Sequence, residues 1–233
     1  MINHIAFIPD GNRRWARSRG VSIFEAYEVG VSKIHEIVDY ISSTGVAKYV
    51  TFYILSLENV LNRSREELEL IYTLLIRELR KIRNDEKTYR KGIRVRVIGI
   101  RDILPKDVVR EIEETEKSTS LNTRCIVNLA VAYSGFLEIA HMLVRKIREL
   151  GIEYVISKIV NKNVDYREYM YMSDTPKPDI VIRTGGEERV SNFLLPYISG
   201  SRLVFLKKYW PEITIQDIEN ILRSLDQCKP YTT

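Results

Sequence analysis

Residues 4–19 read HIAFIPDGNRRWARSR, and this stretch decides the fold. Its first five residues form a brief apolar run with the length of a buried strand. The turn-rich quartet Pro9-Asp10-Gly11-Asn12 follows directly, and residues 13–19 then predict a short helix. A strand, a tight turn and a helix in immediate succession indicate the first unit of an α/β fold.

The same alternation continues through the rest of the chain. We predict further strands at residues 48–55, 93–98, 124–130, 179–182 and 203–205, and helices at residues 23–43, 65–89, 136–150, 153–160 and 214–225, with another opened by Pro105. Ser64, three residues before Glu67, predicts a capping box at the start of the 65–89 helix. This order predicts a single α/β domain, residues 1–233, with a central, mostly parallel sheet surrounded by helices. Only residues 161–178, which are polar and contain two prolines, predict a loose, mobile loop.

The composition is that of a globular protein and excludes the collagen-like and disordered classes, since 45% of the residues are hydrophobic and 29% are charged. The net charge of +5 is compatible with nucleic acid, anionic lipid or phosphorylated substrates and does not choose among them. Cys125 and Cys228 are the only cysteines, which gives neither a disulfide framework nor a metal signature. No apolar stretch approaches the ~20 residues that span a bilayer. We therefore expect a cytoplasmic protein whose membrane contact is at most peripheral.

The first candidate site lies at the end of the first strand, where ligands bind in open parallel sheets. The turn at Gly11 and the helix start behind it offer backbone N–H groups to an anion, and Asp10 has the oxygen ligands that a hard cation prefers. The arginines around this turn are Arg13, Arg14, Arg17 and Arg19. The alternative interpretation is a simple turn in which Asp10 caps a helix and the arginines are solvated. Neither a Walker A loop nor a Rossmann glycine fingerprint is present.

A second polar group follows the second predicted strand. It consists of Ser56, Glu58 and Asn59, with Arg63 shortly after. These residues suit a polar ligand, yet they equally resemble the capping residues at the entry of a helix.

A third group follows the strand at residues 179–182 and reads RTGGEERVSN over residues 183–192. Its two adjacent glycines let the backbone approach a ligand closely. Arg183 and Arg189 flank these glycines and Ser191 follows, and the guanidinium fork matches two oxygens of a diphosphate at once. The alternative is a glycine turn with surface arginines.

Taken together, these stretches resemble the motifs of the cis-prenyltransferases, the undecaprenyl diphosphate synthase family. The stretches that carry the resemblance are HIAFIPDGNRRWA (4–16), LSLEN (55–59), NLAVAYSG (128–135), PDIVIRTGGEERVSNFLL (178–195) and YWPEI (209–213). They occur in the family's order and extend the resemblance from residue 4 to about residue 225. The resemblance implies an enzyme that condenses isopentenyl diphosphate with an allylic diphosphate to a Z-polyprenyl product, and an apolar tunnel for the growing chain. The Asp-rich D-D-x-x-D motif of the trans-prenyltransferases is absent.

The resemblance also implies roles for individual residues. Asp10 coordinates Mg²⁺ on the allylic diphosphate and acts in catalysis with Asn59, which lies at the reacting centre. Arg183, Arg189 and Ser191 hold the diphosphate of isopentenyl diphosphate. The remaining substrate-binding residues are Gly11, Asn12, Arg13, Arg14, Trp15, Arg19, Ser56, Glu58 and Arg63.

Several positions depart from the family pattern. Tyr27 stands where the family has His, Ile23 and Phe136 stand where it has Arg, Val60 replaces an aromatic residue, and Leu61 is an insertion. Arg202 stands where the family has an acid that helps to bind Mg²⁺, and the C-terminal R-x-G is missing. Arg202 either points outward, contacts diphosphate itself, or indicates a sister subunit that supplies the acid. Glu187, Glu188 and Glu212 are nearby in sequence as substitutes. The resemblance implies a homodimer, and the alternative is a partner-dependent subunit of a heteromer.

Two further expectations concern partners and product. A nucleic-acid binding domain would use the basic residues of the 65–89 helix, but that helix also contains Glu66, Glu67, Glu69 and Glu78, so no basic stripe forms and we predict no nucleic-acid partner. Ile54 is expected to face the tunnel, where its bulk would shorten the product. An apolar product would give the enzyme its peripheral membrane contact.

Overall fold

The computed structural model describes residues 2–161 and 167–227. Its sheet contains the strands β1 (His4–Ile8), β2 (Tyr49–Ser56), β3 (Ile93–Ile98), β4 (Cys125–Tyr133), β5 (Ile180–Arg183) and β6 (Arg202–Phe205). The strand order is β3-β4-β2-β1-β5-β6, and every pairing between these strands is parallel. The predicted α/β class and parallel sheet are confirmed, with β1 and β3 at their predicted bounds.

Helices connect the strands and cover the sheet. They are α1 (Asn12–Arg19), α2 (Ile23–Thr44), α3 (Leu57–Asn62), α4 (Arg65–Asn84), α5 (Glu86–Arg90), α6 (Lys106–Thr119), α7 (Gly135–Leu150), α8 (Ile152–Val160) and α9 (Ile215–Gln227), with 3₁₀ turns at Arg101–Ile103, Arg167–Tyr169 and Trp210–Glu212. No helix within the described ranges has both the length and the apolar content needed to cross a bilayer.

The core has two parts because successive side chains of a strand point to opposite faces. Ile5 and Phe7 of β1 pack on one face with α2, α4, α6 and α9, where Phe7 stacks on Phe52 at a ring-centroid distance of 5.2 Å. Ala6 and Ile8 pack on the other face with α7 and residues 170–198. Both faces are covered, so the strands are nearly continuous apolar runs, as is usual in parallel sheets.

Two helix predictions are wrong in detail. The predicted 65–89 helix is interrupted at Asp85, whose carboxylate accepts a hydrogen bond from the backbone N–H of Lys87 (2.9 Å) and so starts α5. Ser64 does cap α4 by accepting from the Glu67 backbone N–H, but the Glu67 carboxylate is used elsewhere, so only half of the predicted capping box is present. The short helix α3 was not predicted.

The loop prediction for residues 161–178 is wrong for the part that the structure describes, residues 167–178. Met170, Met172 and Thr175 are buried there. The backbone N–H of Tyr171 donates to the Glu138 carboxylate at 2.7 Å, and that of Met172 donates to the Tyr197 hydroxyl at 3.1 Å. These contacts fasten the segment to α7 and to the chain beyond β5. Residues 162–166 lie outside the described residues.

The strand order determines where a ligand can bind. The chain runs from β1 to β2 on one side of β1, whereas β5 lies on the other side. Such a reversal leaves a crevice at the carboxyl ends of the two strands that diverge. The crevice lies beyond Ile8 and Arg183, which are paired in register.

Candidate active site

An ion pair joins the ends of β1 and β5. Nη2 of Arg183 lies 2.8 Å from Oδ2 of Asp10. Nη1 of Arg183 donates to the Ser191 hydroxyl at 2.9 Å and to the carbonyl oxygen of Arg189. The hydroxyl of Thr184 donates to the Asp10 carbonyl (2.8 Å) and accepts from the Asp10 backbone N–H (3.0 Å). Two of the three predicted groups therefore form one site.

Two glycine turns allow this close approach. Gly185 has φ = 89°, and a Cβ atom there would lie 2.8 Å from Nη2 of Arg14 and 3.1 Å from the backbone of Asp10. Gly11 has φ = 103°, and a Cβ atom there would lie 2.5 Å from the ring of Tyr209. Both φ angles are in the region that L residues rarely adopt. The two turns therefore need glycine for conformation and for space.

Arg14 adds a second guanidinium to the Asp10 carboxylate. Its Nη2 is 3.3 Å from Oδ1 of Asp10, its Nη1 is 3.5 Å from Glu187, and the guanidinium lies over the Tyr209 ring at 5.6 Å from the centroid. Burial alone would raise the pKa of Asp10, but the hydrogen bond and charge of Arg183 and the charge of Arg14 lower it below its usual value. Asp10 is therefore an anion at neutral pH.

The second predicted group has the helix-capping role that the sequence left open, and it also lines the cavity. The Ser56 hydroxyl accepts from the Asn59 backbone N–H at 3.0 Å and so caps α3. Glu58 accepts a hydrogen bond of 2.6 Å from the side chain of Asn192, which connects the end of β2 to the loop after β5. Ser191 and Asn192 have φ values of 48° and 62°, so this loop has a tight left-handed backbone.

A cluster around Arg63 was not predicted from the sequence as a unit. Nη1 of Arg63 donates to the Tyr27 hydroxyl at 2.5 Å and to Glu67 at 2.7 Å, and Arg13 lies 3.8 Å from Glu67. Burial is the main cause that raises the pKa of Tyr27 to about 12, so Tyr27 is a neutral phenol. The phenol stands at the position where the resemblance expects His and aligns the guanidinium of Arg63.

A cavity of about 1310 Å³ starts at this polar group and extends between the sheet and the helices α2 and α4. The predicted residues that line it are Asp10, Gly11, Asn12, Arg13, Arg14, Ser56, Glu58, Asn59, Arg63, Arg183, Arg189 and Ser191. Its inner wall includes the aliphatic residues Ile34, Ile71, Leu75 and Val127, and Ile54 also lines it, as predicted. Charged residues such as Lys81 and Asp85 line the cavity as well.

Trp15 and Arg19 are not among the residues that line the cavity. Arg19 is exposed and forms an ion pair with Glu212 at 3.2 Å, and Trp15 is half-buried. Residues of a helix point in directions about 100° apart, so α1 turns Arg13, Arg14 and Arg17 to the cavity and these two away from it. These two predicted residues therefore lie outside the lining of the cavity. A helical projection of residues 12–19 would have revealed this.

Arg202 lies at the start of β6 and is paired in register with Ile180. Ile180 precedes Arg183 by three residues, about 10 Å along a strand at ~3.3 Å per residue. Arg202 is thus at the opposite end of the sheet from Asp10 in the same copy of the chain. Glu187 does line the cavity, and it contacts Arg14 and Arg189.

The basic residues of α4 do not form a free positive surface. Arg65 pairs with Glu69, Arg77 with Glu28, and Arg80 with Glu111.

These features together indicate the class of ligand that the cavity can bind, and with it the class of protein. A carboxylate, several guanidinium groups and two glycine turns at the carboxyl ends of parallel strands, beside a long apolar cavity, suit a diphosphate ester with an apolar chain. The described residues contain no group of three carboxylate, His or Cys side chains that could hold a metal alone. A cation here would share its ligands between Asp10 and a bound diphosphate, as Mg²⁺ does in many phosphate sites.

Comparison with known proteins agrees with this class. The family model described as "Putative undecaprenyl diphosphate synthase" matches residues 8–230. The tritrans,polycis-undecaprenyl-diphosphate synthases (geranylgeranyl-diphosphate specific) of Pyrobaculum aerophilum and Methanopyrus kandleri are 38% and 36% identical, over 94% and 96% of this chain and 90% and 82% of theirs. The structure of lavandulyl diphosphate synthase from Lavandula x intermedia with dimethylallyl diphosphate is similar, with a TM-score of 0.84, 28% identity and coverage of 98% of this chain and 96% of that one.

The chain belongs to the undecaprenyl diphosphate synthase family. It is a cis-prenyltransferase, which condenses isopentenyl diphosphate with an allylic prenyl diphosphate.

Proposed function

We propose that this chain is an active enzyme without a sister subunit, that it uses Mg²⁺, and that its two diphosphates bind on either side of the Asp10–Arg183 ion pair. The observation that carries the proposal is the position of this pair, 2.8 Å apart at the polar end of a single cavity with an aliphatic inner wall. A substrate with a diphosphate head and an apolar chain matches both ends of this cavity.

The allylic diphosphate binds at the start of α1. The first backbone N–H groups of a helix lack intrahelical acceptors and attract an anion. Arg14 provides a guanidinium on the same side, and Gly11 leaves room for the phosphates. Geranylgeranyl diphosphate is the proposed primer, because the archaeal relatives are named as specific for it.

The diphosphate of isopentenyl diphosphate binds at the end of β5. Arg183 is buried and lines the cavity, where Asp10 and Ser191 fix the position of its guanidinium. Arg189 is exposed at the edge of the cavity, and Ser191 is held in place by Arg183. Guanidinium groups in fixed positions bind diphosphate in a defined orientation, which places the isopentenyl double bond toward the allylic carbon.

Asp10 is the residue that would hold Mg²⁺. It is ionised, lines the cavity and lies beside guanidinium groups that would bind the same phosphates. The bound ion would neutralise charge on the departing allylic diphosphate. Arg14 supports the same departure through its own charge, which acts more strongly away from bulk water.

The reaction proceeds by ionisation of the allylic diphosphate, attack by the isopentenyl double bond and loss of a proton. Ser56, Glu58 and Asn59 follow β2, the neighbour of β1, and Glu58 contacts Asn192 of the loop after β5. The Asn59 side chain lines the cavity and is the polar group assigned to the reacting centre. The aliphatic wall keeps water away from the cationic intermediate and accommodates the growing chain.

The active form is a homodimer. Helices α7 and α8 expose a continuous set of large apolar side chains: Phe136, Ile139, Val144, Ile147, Leu150, Ile152, Tyr154, Ile156, Ile159 and Val160. A patch of this kind marks an interaction surface. A second copy of the chain is the proposed partner, and a sister subunit is the alternative.

The purified chain tests the proposal with radiolabelled isopentenyl diphosphate, Mg²⁺ and primers of different length. We expect incorporation that is highest with geranylgeranyl diphosphate and is abolished by EDTA and by Asp10→Ala. Incorporation by Asp10→Ala at the rate of the unchanged chain would remove the metal assignment. A lack of incorporation with every primer would favour the partner-dependent alternative.

A further inference from the structure

The cavity is closed on one side by side-chain ties between two helices and not by close packing of their backbones. The backbones of α2 and α4 scarcely approach each other along the cavity. Tyr27 donates to Glu67 at 2.5 Å, Arg77 binds Glu28 at 2.9 Å, and His35 meets Glu78 at 2.6 Å. The first tie is at the polar end, beside Arg63, whereas the third is deep along the cavity.

The depth of the third tie follows from helix geometry. Glu78 comes eleven residues after Glu67 on α4, about 16 Å at ~1.5 Å per residue, and His35 comes eight residues after Tyr27 on α2, about 12 Å. Aliphatic residues line the cavity before this point, for example Ile34. Beyond it, Ile82 lines the cavity together with charged residues such as Lys81 and Asp85. The pair of His35 and Glu78 therefore lies between the aliphatic part of the cavity and a far part that also has charged side chains.

Several contacts hold the pair of His35 and Glu78 in place. Glu78 is buried, with its side chain 12% exposed, whereas the imidazole of His35 is 40% exposed. Arg77 donates to the second carboxylate oxygen of Glu78 at 2.7 Å. The hydrogen bond from His35 is the main cause that lowers the pKa of Glu78 to about 2, so the carboxylate is charged at neutral pH. An aliphatic chain that passes this point would break the hydrogen bond and leave a buried carboxylate with fewer partners.

We propose that the pair of His35 and Glu78 is a specificity determinant that limits the length of the prenyl product. This inference rests on the proposed location of the prenyl chain in the cavity. Burial of each isoprene unit against aliphatic residues stabilises the bound chain until its end reaches the pair of His35 and Glu78. Further extension then gains less and disturbs the pair, so products that end at this depth accumulate.

The double variant His35→Leu/Glu78→Leu tests this inference, because it replaces the pair with aliphatic side chains and leaves no unpaired charge. We expect longer products by mass spectrometry, by at least two isoprene units at the maximum of the distribution, while the initial rate of isopentenyl incorporation stays within about two-fold. The matched control is Arg65→Leu/Glu69→Leu, which removes an exposed pair of the same helix (2.8 Å) and should leave product length unchanged.

Glu78→Gln supplies a second test if the double variant does not fold by circular dichroism, since it keeps the shape and removes the charge. It should also lengthen the product, by a smaller amount. If the unchanged enzyme incorporates label and the folded variants give its product distribution, the pair has no role in product length. An unchanged enzyme that incorporates no label would instead overturn the proposed function.

Discussion

At the scale of single residues, the site depends on two turns that bring Asp10 and Arg183 together. Neither turn tolerates a side chain at its glycine, and neither strand alone supplies a complete site. The carboxylate and the guanidinium of this ion pair come from residues more than 170 positions apart in the chain. Substitutions here should therefore affect catalysis more than folding.

Variants at Gly185 and Gly200 test the role of the turn at Gly185 in catalysis, because the backbone strain is the same at both positions. Both have φ = 89°, but a Cβ atom at Gly200 meets nothing within 4 Å, whereas at Gly185 it would meet Arg14 and Asp10. We expect Gly185→Ala and Gly200→Ala each to lose about 1–2 kcal/mol of unfolding free energy in urea titrations, from the left-handed backbone. Only Gly185→Ala should lose activity, by more than about 10²-fold. Equal activities of the two variants would contradict the role of this turn.

Arg14 and Arg19 form a similar comparison on α1. Arg14 lines the cavity beside Asp10, and Arg19 lies outside it in an exposed ion pair with Glu212. We expect Arg14→Ala to lower kcat/KM for the allylic diphosphate by about 10²-fold, the usual loss for one positioned donor. Arg19→Ala should remain within about two-fold. Steady-state kinetics with the primer varied would measure both, and a comparable loss in Arg19→Ala would restore that residue to the site.

At the scale of elements, the sequence predicted the strands and most helices because both faces of the sheet are buried and the helices have clear apolar stripes. It did not decide for α3 because Ser56 and Glu58 suit both a helix start and a ligand-binding loop. It joined α4 and α5 because the apolar pattern continues past Asp85, where a single side-chain cap restarts the helix. Most of the residues in the motifs that follow strand ends line one cavity, since those ends meet in a parallel sheet. The cluster of Tyr27, Arg63 and Glu67 could not be predicted, because its contacts join separate helices.

The apolar faces of α7 and α8 lead to a prediction at the same scale. Ile156→Glu would place a charge in the proposed dimer interface, where its desolvation opposes association. We expect this variant to elute as a monomer in size-exclusion chromatography with light scattering, while the unchanged chain elutes as a dimer. Leu121→Glu is the control, because Leu121 is 92% exposed and lies outside α7 and α8. A dimer of undiminished stability in Ile156→Glu would exclude this surface.

At the scale of the whole molecule, a buried histidine links the sheet to the segment before β5. Nδ1 of His4 donates to the carbonyl oxygen of Pro176 at 2.7 Å, and Nε2 accepts from the Thr51 hydroxyl at 2.8 Å. Burial is the main cause that lowers the pKa of His4 from 6.5 to about 4. The native chain therefore keeps this imidazole neutral where the unfolded chain would protonate it.

This difference predicts how stability varies with pH. Between pH 6.5 and 4 the unfolded chain binds more protons at His4 than the native chain, so stability falls as the pH falls through that window. The loss from this residue should be about 3 kcal/mol, at ~1.36 kcal/mol per pKa unit. Urea titrations at pH 7 and pH 4 should show a smaller difference for His4→Gln than for the unchanged chain. The same difference in both proteins would mean that other groups cause the acid sensitivity.

The ties between α2 and α4 have a consequence for any assay of this enzyme. Attraction between charges that are open to solvent, such as Arg77 and Glu28, weakens as ionic strength rises, because the Debye length shrinks from about 10 Å at 0.1 M salt to about 3 Å at 1 M. Packing between aliphatic side chains has no such dependence. The separation of α2 and α4 around the prenyl chain should therefore vary with the salt concentration. Product lengths measured in dilute buffer should then differ from those formed at high ionic strength.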